Sequence, residues 1–322
     1  MIRAAIIGLG AIGQRLITNF TDHPDIMISA ICDRNAEVTR GTSERLENVS
    51  SFTDHKEMLE EAEIELVYVA VPPKFHHQIV TDVIAKGKHV LCEKPLANSL
   101  EEAESLYIQA KEKGIIHAMN FPLNYSAGSR TFASLIKEGY VGKLRRIELK
   151  MHFPEWPRPW QQNDWVASRE QGGFVLEVGV HYIQQIQKSF GPVHVLNKSV
   201  QYPEDPAASE VGILAQMELH DGTPIFIDGM SQIAGTEEIR FTAYGTEGTL
   251  ALLNWSALEG GKHGEPIQRI AADSSLANSL MDELVKALKG EEAEIIDFEA
   301  GYQAQDVLEK LRGQEGLMNN EK

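Results

Sequence analysis

Lys94 is the residue of this sequence best placed to act on a bound small molecule. It stands in the run Glu93-Lys94-Pro95, directly after the short apolar stretch His89–Cys92, which predicts a buried strand. Because proline fixes its own φ angle and keeps the preceding residue extended, Lys94 is held by stiff backbone. In doubly wound α/β folds, ligands bind beyond the carboxyl ends of the strands. The ammonium group of Lys94 is therefore predicted to face a ligand.

A glycine motif near the N-terminus predicts a binding site for the phosphates of a dinucleotide. The run Gly8-Leu9-Gly10-Ala11-Ile12-Gly13 follows the apolar strand Arg3–Ile7 and opens a helix over Gln14–Phe20. In this context the first glycine allows a tight turn, the second admits the pyrophosphate, and the third lets the helix pack on the strand. The N–H groups at the helix start would meet the phosphate charge.

The residues after the next predicted strand, Ile26–Cys32, are candidates to bind the ribose of the same ligand. Asp33 lies 20 residues after Gly13, where a carboxylate would accept hydrogen bonds from the adenosine ribose. Alternatively, Asp33 could cap the helix that starts at Ala36. Arg34 could pair with the 2′-phosphate of NADP, but the charge of Asp33 opposes that phosphate. NAD is therefore the predicted cofactor, with NADP as the alternative.

Glu177 and His181 form a second candidate group for chemistry. They follow Gly172-Gly173, and if Glu177–Phe190 is a helix, the two side chains share one face. A histidine oriented by a carboxylate is suited to moving a proton. An ordinary helical ion pair explains the same spacing equally well.

An aromatic segment precedes this group. Phe153–Trp160, followed by Trp165, is rich in tryptophan and proline, which predicts a rigid loop. Aromatic faces stack well on sugar rings or flat substrates, so Trp160 and Trp165 are candidate substrate-binding residues. A contact between subunits explains the segment nearly as well.

The elements that must position these residues alternate between strand and helix in the first part of the chain. After Cys32 the pattern predicts a helix at Asp54–Ala62, a strand at Ile64–Val71, a helix at Phe75–Lys86, the strand His89–Cys92, a helix from Ser99 to Lys113 and a strand at Ile115–Met119. Such alternation predicts a parallel sheet covered by helices on both faces. Residues 1–121 are predicted to form this domain.

The pattern changes after residue 121, and 122–322 are predicted to form a second α/β domain with an open, mostly antiparallel mixed sheet. One helix, Ser126–Gly139, precedes strands predicted at Leu144–Phe153, His194–Tyr202, Gly212–Leu219, Pro224–Met230, Ile239–Tyr244 and Thr249–Leu253. Helices at Leu276–Lys289 and Glu299–Leu311 follow, and the polar tail Gln314–Lys322 is expected to fray. Alternation along Gly212–Leu219 predicts one buried sheet face, and a second subunit is expected to cover the other.

Composition excludes several kinds of partner. The formal net charge of −17 over 322 residues argues against nucleic acids and anionic membrane surfaces. The chain has no apolar run of membrane-spanning length and no signal-peptide pattern. Two cysteines, Cys32 and Cys92, predict buried thiols in a reducing compartment, which favours the cytoplasm. No residue is assigned to a metal.

Together these motifs resemble those of the glucose–fructose oxidoreductase / inositol 2-dehydrogenase / MocA family over most of the chain. The resemblance is carried by Gly8–Gly13, Val71-Pro72 with His76, Gly87–Pro95, and Gly172–His181. The Glu-Lys-Pro element is the specific part, whereas the glycine motif alone is not. The resemblance implies a Rossmann domain, then an α/β domain that forms homodimers or homotetramers through its sheet. It further implies NAD(P)-dependent hydride transfer at a hydroxyl or carbonyl carbon of a sugar, polyol or related cyclic substrate.

The resemblance also implies residue roles. Lys94 would hydrogen-bond the reacting oxygen, and His181, with Glu177, would act as general acid and base. The implied cofactor contacts include Val71, Pro72, His76, Glu93 beside the nicotinamide ribose and Asn120 near the nicotinamide, and the substrate side includes Gln184.

Four positions depart from the family pattern: Glu177 and Gln184 replace aspartates, Asn124 an arginine and Pro73 an asparagine. The loss of the acid at Gln184 makes an inositol-like polyol less favoured. These changes also suit the alternative function, a catalytically inactive dinucleotide-binding regulator or sensor of the same fold.

Overall fold

A computed structural model describes residues 1–46, 49–161 and 163–313, which form two compact units. The first unit contains residues 1–121 and 279–305, and the second contains 122–278 and the described residues from 306 on. The domain division predicted from the sequence stays a prediction, and it differs from these units in the placement of 279–305. The predicted frayed tail, Gln314–Lys322, lies outside the described residues.

The first unit contains a six-stranded parallel sheet. Its strands are β1 (Ile2–Ile7), β2 (Ile26–Cys32), β3 (Ser50–Phe52), β4 (Leu66–Val69), β5 (His89–Cys92) and β6 (His117–Met119). The helices between them are α1 (Ala11–Thr21), α2 (Ala36–Ser43), α3 (His55–Glu61), α4 (His76–Ala85) and α5 (Leu100–Lys113). The order β3-β2-β1-β4-β5-β6 is that of a dinucleotide-binding Rossmann sheet, which confirms the predicted fold class.

Short polar side chains set the helix starts in this unit. Asn35 caps α2 by accepting hydrogen bonds from two backbone N–H groups, and Asp54 caps α3 in the same way. Ser99 caps α5 by accepting from the Glu102 N–H. The pattern did not predict β3, because this short strand has exposed serines and no apolar signature.

The second unit contains an eight-stranded mixed sheet. Its strands are β7 (Leu144–Phe153), β8 (Val193–Gln201), β9 (Gly212–Leu219), β10 (Pro224–Ser231), β11 (Glu238–Gly245), β12 (Gly248–Leu253), β13 (Ala257–Lys262) and β14 (Gln268–Ile270). The helices that precede β8 are α6 (Ala127–Lys137), α7 (Asp164–Ala167) and α8 (Val180–Phe190). In the order β14-β13-β12-β11-β7-β10-β9-β8, only β7 and β10 pair in parallel, so the mostly antiparallel mixed sheet is confirmed.

The alternation predicted along β9 is also present. Ile213, Met217 and Leu219 are buried, whereas Leu214 on the opposite face is 60% exposed. The sequence pattern missed β13 and β14, since paired glycines and charged residues hide the alternation there.

Two helices complete the described chain, α9 (Leu280–Leu288) and α10 (Phe298–Arg312). Met281, Leu284 and Val285 of α9 are buried in the core of the first unit together with Ile6 and Phe20. Burial of these apolar side chains explains why residues 279–305 return to that unit. Both cysteines are buried free thiols. Throughout the described part of the chain, no helix combines the length and the apolar character needed to span a bilayer.

Candidate functional site

The glycine loop between β1 and α1 has the geometry that its sequence predicts. Gly8 has a φ of +94°, and a Cβ atom there would lie 2.5 Å from the Ala70 carbonyl oxygen. A Cβ on Gly13 would overlap the carbonyl oxygen of Gly8. A Cβ on Gly10, by contrast, would have no heavy atom within 4 Å, so the chain leaves open space there.

The start of α1 fits the phosphates of a dinucleotide. Its N-cap residue, Gly10, makes no side-chain capping bond, and its first turn holds no acidic residue. The leading N–H groups of a helix have no partner within the helix and attract anions. Gly10, Ala11 and Ile12 would therefore hold the pyrophosphate through backbone groups.

Alanine substitutions at Gly13 and Gly10 should separate the two roles of this loop. Gly13→Ala should lower the free energy of unfolding by about 1–3 kcal/mol, because the methyl group collides with backbone. Gly10→Ala should leave stability nearly unchanged and weaken dinucleotide binding, because its methyl group fills the space left for the phosphates. Thermal unfolding and titration of each variant measure the two effects. Unchanged dinucleotide affinity in Gly10→Ala would contradict the phosphate assignment.

Asp33 is tied to the glycine loop and does not cap α2. Its Oδ2 accepts a hydrogen bond from the Leu9 N–H at 2.8 Å, and its Oδ1 accepts one from the Asn35 N–H at 2.9 Å. Since Asn35 is the N-cap residue of α2, the capping alternative for Asp33 is wrong. Each carboxylate oxygen keeps a second lone pair that a ribose hydroxyl could use. The guanidinium of Arg34 lies 4.8 Å from the centre of the Phe75 ring.

His76 joins two backbone segments at the carboxyl edge of the sheet. Its ring is fully buried, with Nδ1 2.8 Å from the Pro95 carbonyl oxygen and Nε2 2.8 Å from the Val71 carbonyl oxygen. The residue therefore holds the turn after Lys94 against the segment that follows β4. Its predicted contact with the cofactor stays a prediction.

Glu93 is a buried carboxylate beside Lys94. Its Oε1 accepts hydrogen bonds from the Tyr68 hydroxyl at 2.6 Å and from the Asn120 side-chain amide at 2.5 Å. The Lys94 backbone N–H lies 3.4 Å from Oε2. Burial raises the pKa of Glu93 above its usual value, and both hydrogen bonds and the charge of Lys94 offset only part of that rise. The pattern had not marked Tyr68, although a polar ring within the apolar run of β4 is a detectable signal.

The second unit positions Glu177 and His181 differently from the predicted single helix. Val175–Gly179 forms a π-helical turn that contains Glu177, and α8 then begins, with His181 as its second residue. Such turns occur often at functional sites. Glu177 accepts a hydrogen bond from the Gln161 amide at 2.6 Å, and the His181 ring lies edge-on to Trp255 with centroids 5.3 Å apart. The orientation of His181 by Glu177 stays a prediction.

Glu210 holds the start of this segment, and no motif around it predicts that role. Its buried carboxylate accepts a hydrogen bond from the Val175 N–H at 2.8 Å, and burial raises its pKa. A Cβ on Gly173, whose φ is +97°, would overlap this carboxylate. Arg312 donates to carbonyl oxygens of the loop that ends at Gly172. Gly173 is thus needed for the close approach of Glu210, and Gly172 for the close approach of the Trp165 and Val166 carbonyl oxygens.

The aromatic segment is organised around a buried arginine. The Arg158 guanidinium lies between 5.1 and 5.7 Å from the ring centres of Phe153, Trp156 and Trp160. Its Nε donates to Glu237 at 3.0 Å, which supplies the opposite charge. Trp160 is 62% exposed and Trp165 is partly buried in α7. Trp160 therefore presents an exposed aromatic surface, as a substrate-stacking residue requires.

Two residues that depart from the family pattern are paired with each other. The Asn124 side-chain amide donates to the Gln184 side-chain oxygen at 2.7 Å, and both residues are buried. Neutral groups thus occupy both positions, so the two departures form one neutral hydrogen-bonded pair. Such a pair avoids burying separate charges.

Two family models match the chain. One, for the NAD-binding Rossmann fold of an oxidoreductase family, matches residues 2–121, and the other, for its C-terminal alpha/beta domain, matches 133–313. The chain belongs to the Gfo/Idh/MocA family of oxidoreductases. The predicted family is therefore confirmed.

Relatives within the Gfo/Idh/MocA family include proteins of known activity. A 1,5-anhydro-D-fructose reductase of Ensifer adhaerens is 26% identical over 78% of this chain and 75% of its own length. The solved structure of a 3-ketoreductase from Actinomadura kijaniata, in complex with NADP and TDP-benzene, matches with a TM-score of 0.82 at 21% identity and covers 97% of both chains. Levoglucosan dehydrogenase in complex with NADH matches with a TM-score of 0.83 at 18% identity, over 96% of this chain and 95% of its own. The solved structures share the fold.

Membership of the Gfo/Idh/MocA family makes the chain an oxidoreductase with a nicotinamide dinucleotide, NAD or NADP, as its cofactor. The predicted enzyme class and the predicted nicotinamide dinucleotide cofactor are confirmed. The roles of the individual site residues stay predictions.

Proposed function

We propose that the chain is an NAD(P)-dependent dehydrogenase or reductase that acts on a hydroxyl or carbonyl carbon of a sugar, polyol or related cyclic substrate. The observation that carries this proposal is the placement of Lys94 directly after β5, at the sheet edge where Rossmann folds bind ligands. The names of relatives support the substrate class, since they include a 1,5-anhydro-D-fructose reductase and a levoglucosan dehydrogenase.

The proposed chemistry divides between the cofactor and the protein. The dinucleotide, when bound, accepts or donates a hydride. The Lys94 ammonium would stabilise the oxygen of the reacting carbon as its charge develops, and preorganised charge of this kind is usually the largest catalytic contribution. His181 would take up or release the hydroxyl proton, with Glu177 holding the ring in place.

Within the cofactor pair, we propose NAD as the preferred form. Asp33 carries a negative charge beside the glycine loop, where it would repel a 2′-phosphate and accept bonds from ribose hydroxyls. NADP is the alternative because of Arg34, the residue after Asp33. Arg34 is exposed and its guanidinium lies over the Phe75 ring, so it could pair with a 2′-phosphate.

A binding and turnover experiment tests the proposed function. NAD, NADH, NADP and NADPH are titrated separately against the purified protein, and a panel of sugars, polyols and cyclic diols or ketones is then followed by nicotinamide absorbance. Saturable binding with turnover on a panel member supports the enzyme. Tight binding with no turnover on a broad panel supports the alternative function, a regulator or sensor. Failure to bind any of the four dinucleotides would contradict both.

We further propose that the protein forms a homodimer or homotetramer through the exposed face of its second sheet. Leu214, Phe226 and Met230 are 60%, 39% and 39% exposed on adjacent strands β9 and β10. Leu214 lies opposite Asp228, diagonally between Phe226 and Met230 on the same face. Exposed apolar side chains grouped in this way are typical of an interface between subunits.

Substitution on this face tests the oligomer. The double variant Leu214→Lys/Phe226→Lys should shift the molar mass measured by light scattering toward the monomer, since two charges would be buried in the interface. Ile267→Lys is the matched control, because Ile267 is 51% exposed and lies outside β9 and β10. An unchanged mass for the double variant would contradict this interface.

A further inference from the structure

Tyr68 has a hydroxyl group that its packing does not require. The side chain is fully buried on β4 and stacks on Phe20 with ring centroids 5.6 Å apart. It belongs to the apolar core of the first unit, where phenylalanine would fill the same space. Because a hydroxyl in such a core is costly unless it has a partner, its hydrogen bond is the feature to explain.

The partner is Glu93, and a second donor joins it from the next strand. The Tyr68 hydroxyl and the Asn120 amide both donate to Oε1 of Glu93, at 2.6 and 2.5 Å. The three residues lie on β4, directly after β5 and directly after β6. The carboxyl half of the parallel sheet thus converges on one carboxylate.

Glu93 is the group of this cluster that can carry a negative charge near neutral pH. Burial raises the pKa of Tyr68 and of Cys92 well above their ordinary values, so both are protonated near neutral pH. Lys94 is the adjacent cation, and Asn120 is neutral. The two donors on Oε1 and the charge of Lys94 offset only part of the rise that burial causes, so the pKa of Glu93 stays above its usual value, and further loss of a donor would raise it more.

The fold assigns this cluster to one half of the cofactor. The glycine loop and Asp33 belong to the half of the sheet formed by β1, β2 and β3, and the other mononucleotide half is β4, β5 and β6. Since the adenosine ribose is assigned to Asp33, the nicotinamide falls to the half that holds Glu93. This step rests on the proposed function. An oxidised nicotinamide ring carries a positive charge, and a reduced one is neutral.

We propose that Tyr68 and Asn120 hold Glu93 as a carboxylate, which makes the protein bind the oxidised cofactor more tightly than it would with a neutral residue at position 93. Tyr68 is then a positioning residue for redox-state selection. Tighter binding of the oxidised form shifts the bound equilibrium toward hydride transfer onto a carbonyl substrate.

Separate dissociation constants for the oxidised and the reduced cofactor test this proposal. Calorimetric titrations use NAD and NADH, or the phosphorylated pair if the wild type binds that pair. Glu93→Gln keeps the shape and removes the charge, so the ratio of the two constants should move about tenfold toward the reduced form. Tyr107→Phe is the matched control, because the Tyr107 hydroxyl on α5 accepts a hydrogen bond from Lys111, whereas the Tyr68 hydroxyl donates to Glu93.

Tyr68→Phe gives a second readout through pH. The preference for the oxidised form is present above the pKa of Glu93 and is lost as pH falls through it. Removing one donor raises that pKa, so Tyr68→Phe should lose the preference at a higher pH than the wild type does. Thermal unfolding reports whether the variant is folded, and Glu93→Gln decides the proposal if it is not.

The outcomes distinguish this proposal from the proposed function. An unchanged ratio in Glu93→Gln, with both cofactor forms still bound, overturns the role of Glu93. An unchanged pH dependence in a folded Tyr68→Phe overturns the role of Tyr68. Failure of the wild type to bind either pair contradicts the proposed function instead.

Discussion

Replacing Lys94 by alanine is expected to lower kcat by about a hundredfold to a thousandfold, the cost of removing one preorganised donor from a developing oxyanion. The backbone around it should persist, because Pro95 follows it and His76 lies within hydrogen-bonding distance of the Pro95 carbonyl oxygen. Dinucleotide affinity should therefore change little, since the phosphates and the adenosine ribose are assigned to the glycine loop and Asp33. Steady-state kinetics and cofactor titration measure the two quantities.

A lysine at the opposite end of the same strand provides the control. Lys88 directly precedes β5, at the amino edge of the parallel sheet, where ligands do not bind. Lys88→Ala should therefore leave kcat nearly unchanged. If Lys94→Ala retains most of the wild-type kcat, Lys94 does not stabilise the reacting oxygen and the catalytic assignment is wrong.

Replacing His181 by glutamine is expected to lower kcat by about a hundredfold or more, the usual contribution of a positioned general acid or base. His181 is 6% exposed at the start of α8, where the π-helical turn and the ring of Trp255 restrict its orientation. Glutamine retains hydrogen-bonding atoms but cannot exchange a proton near neutral pH. The pH profile of kcat should therefore lose the limb that belongs to the imidazole.

The exposed His194 on β8 serves as the matched histidine, and His194→Gln should keep both the rate and the pH profile. Unfolding temperature and cofactor affinity of His181→Gln show whether the fold is intact. A folded His181→Gln protein with an unaltered pH profile would show that His181 does not carry the proton in the reaction.

Local sequence patterns predicted much of the fold and part of the candidate site. The glycine loop, β2 and β5 are predicted because each apolar run ends in a marker residue: glycines after β1, Asp33 after β2, and Glu93-Lys94-Pro95 after β5. Each marker lies within a few positions of its run, so the sequence pattern alone detects it. The predicted start of α5 at Ser99 is local in the same way, because the Ser99 hydroxyl accepts a hydrogen bond from the Glu102 N–H three residues later.

The remaining features join residues that are distant along the chain. Tyr68 meets Glu93 25 positions later, and Asn124 meets Gln184 60 positions later. Nothing in the neighbourhood of either residue specifies its partner. The π-helical turn at Val175–Gly179 was missed because the apolar period does not encode a local change in hydrogen bonding.

The placement of α9 has a consequence for the order in which the protein is made. Met281, Leu284 and Val285 complete a core whose other members, such as Ile6 and Phe20, are synthesised first. A nascent chain that ends before α9 lacks these apolar side chains, so its dinucleotide-binding half leaves the ribosome with apolar surface uncovered. The cofactor half, although first in sequence, is thus among the last parts of this protein to finish folding.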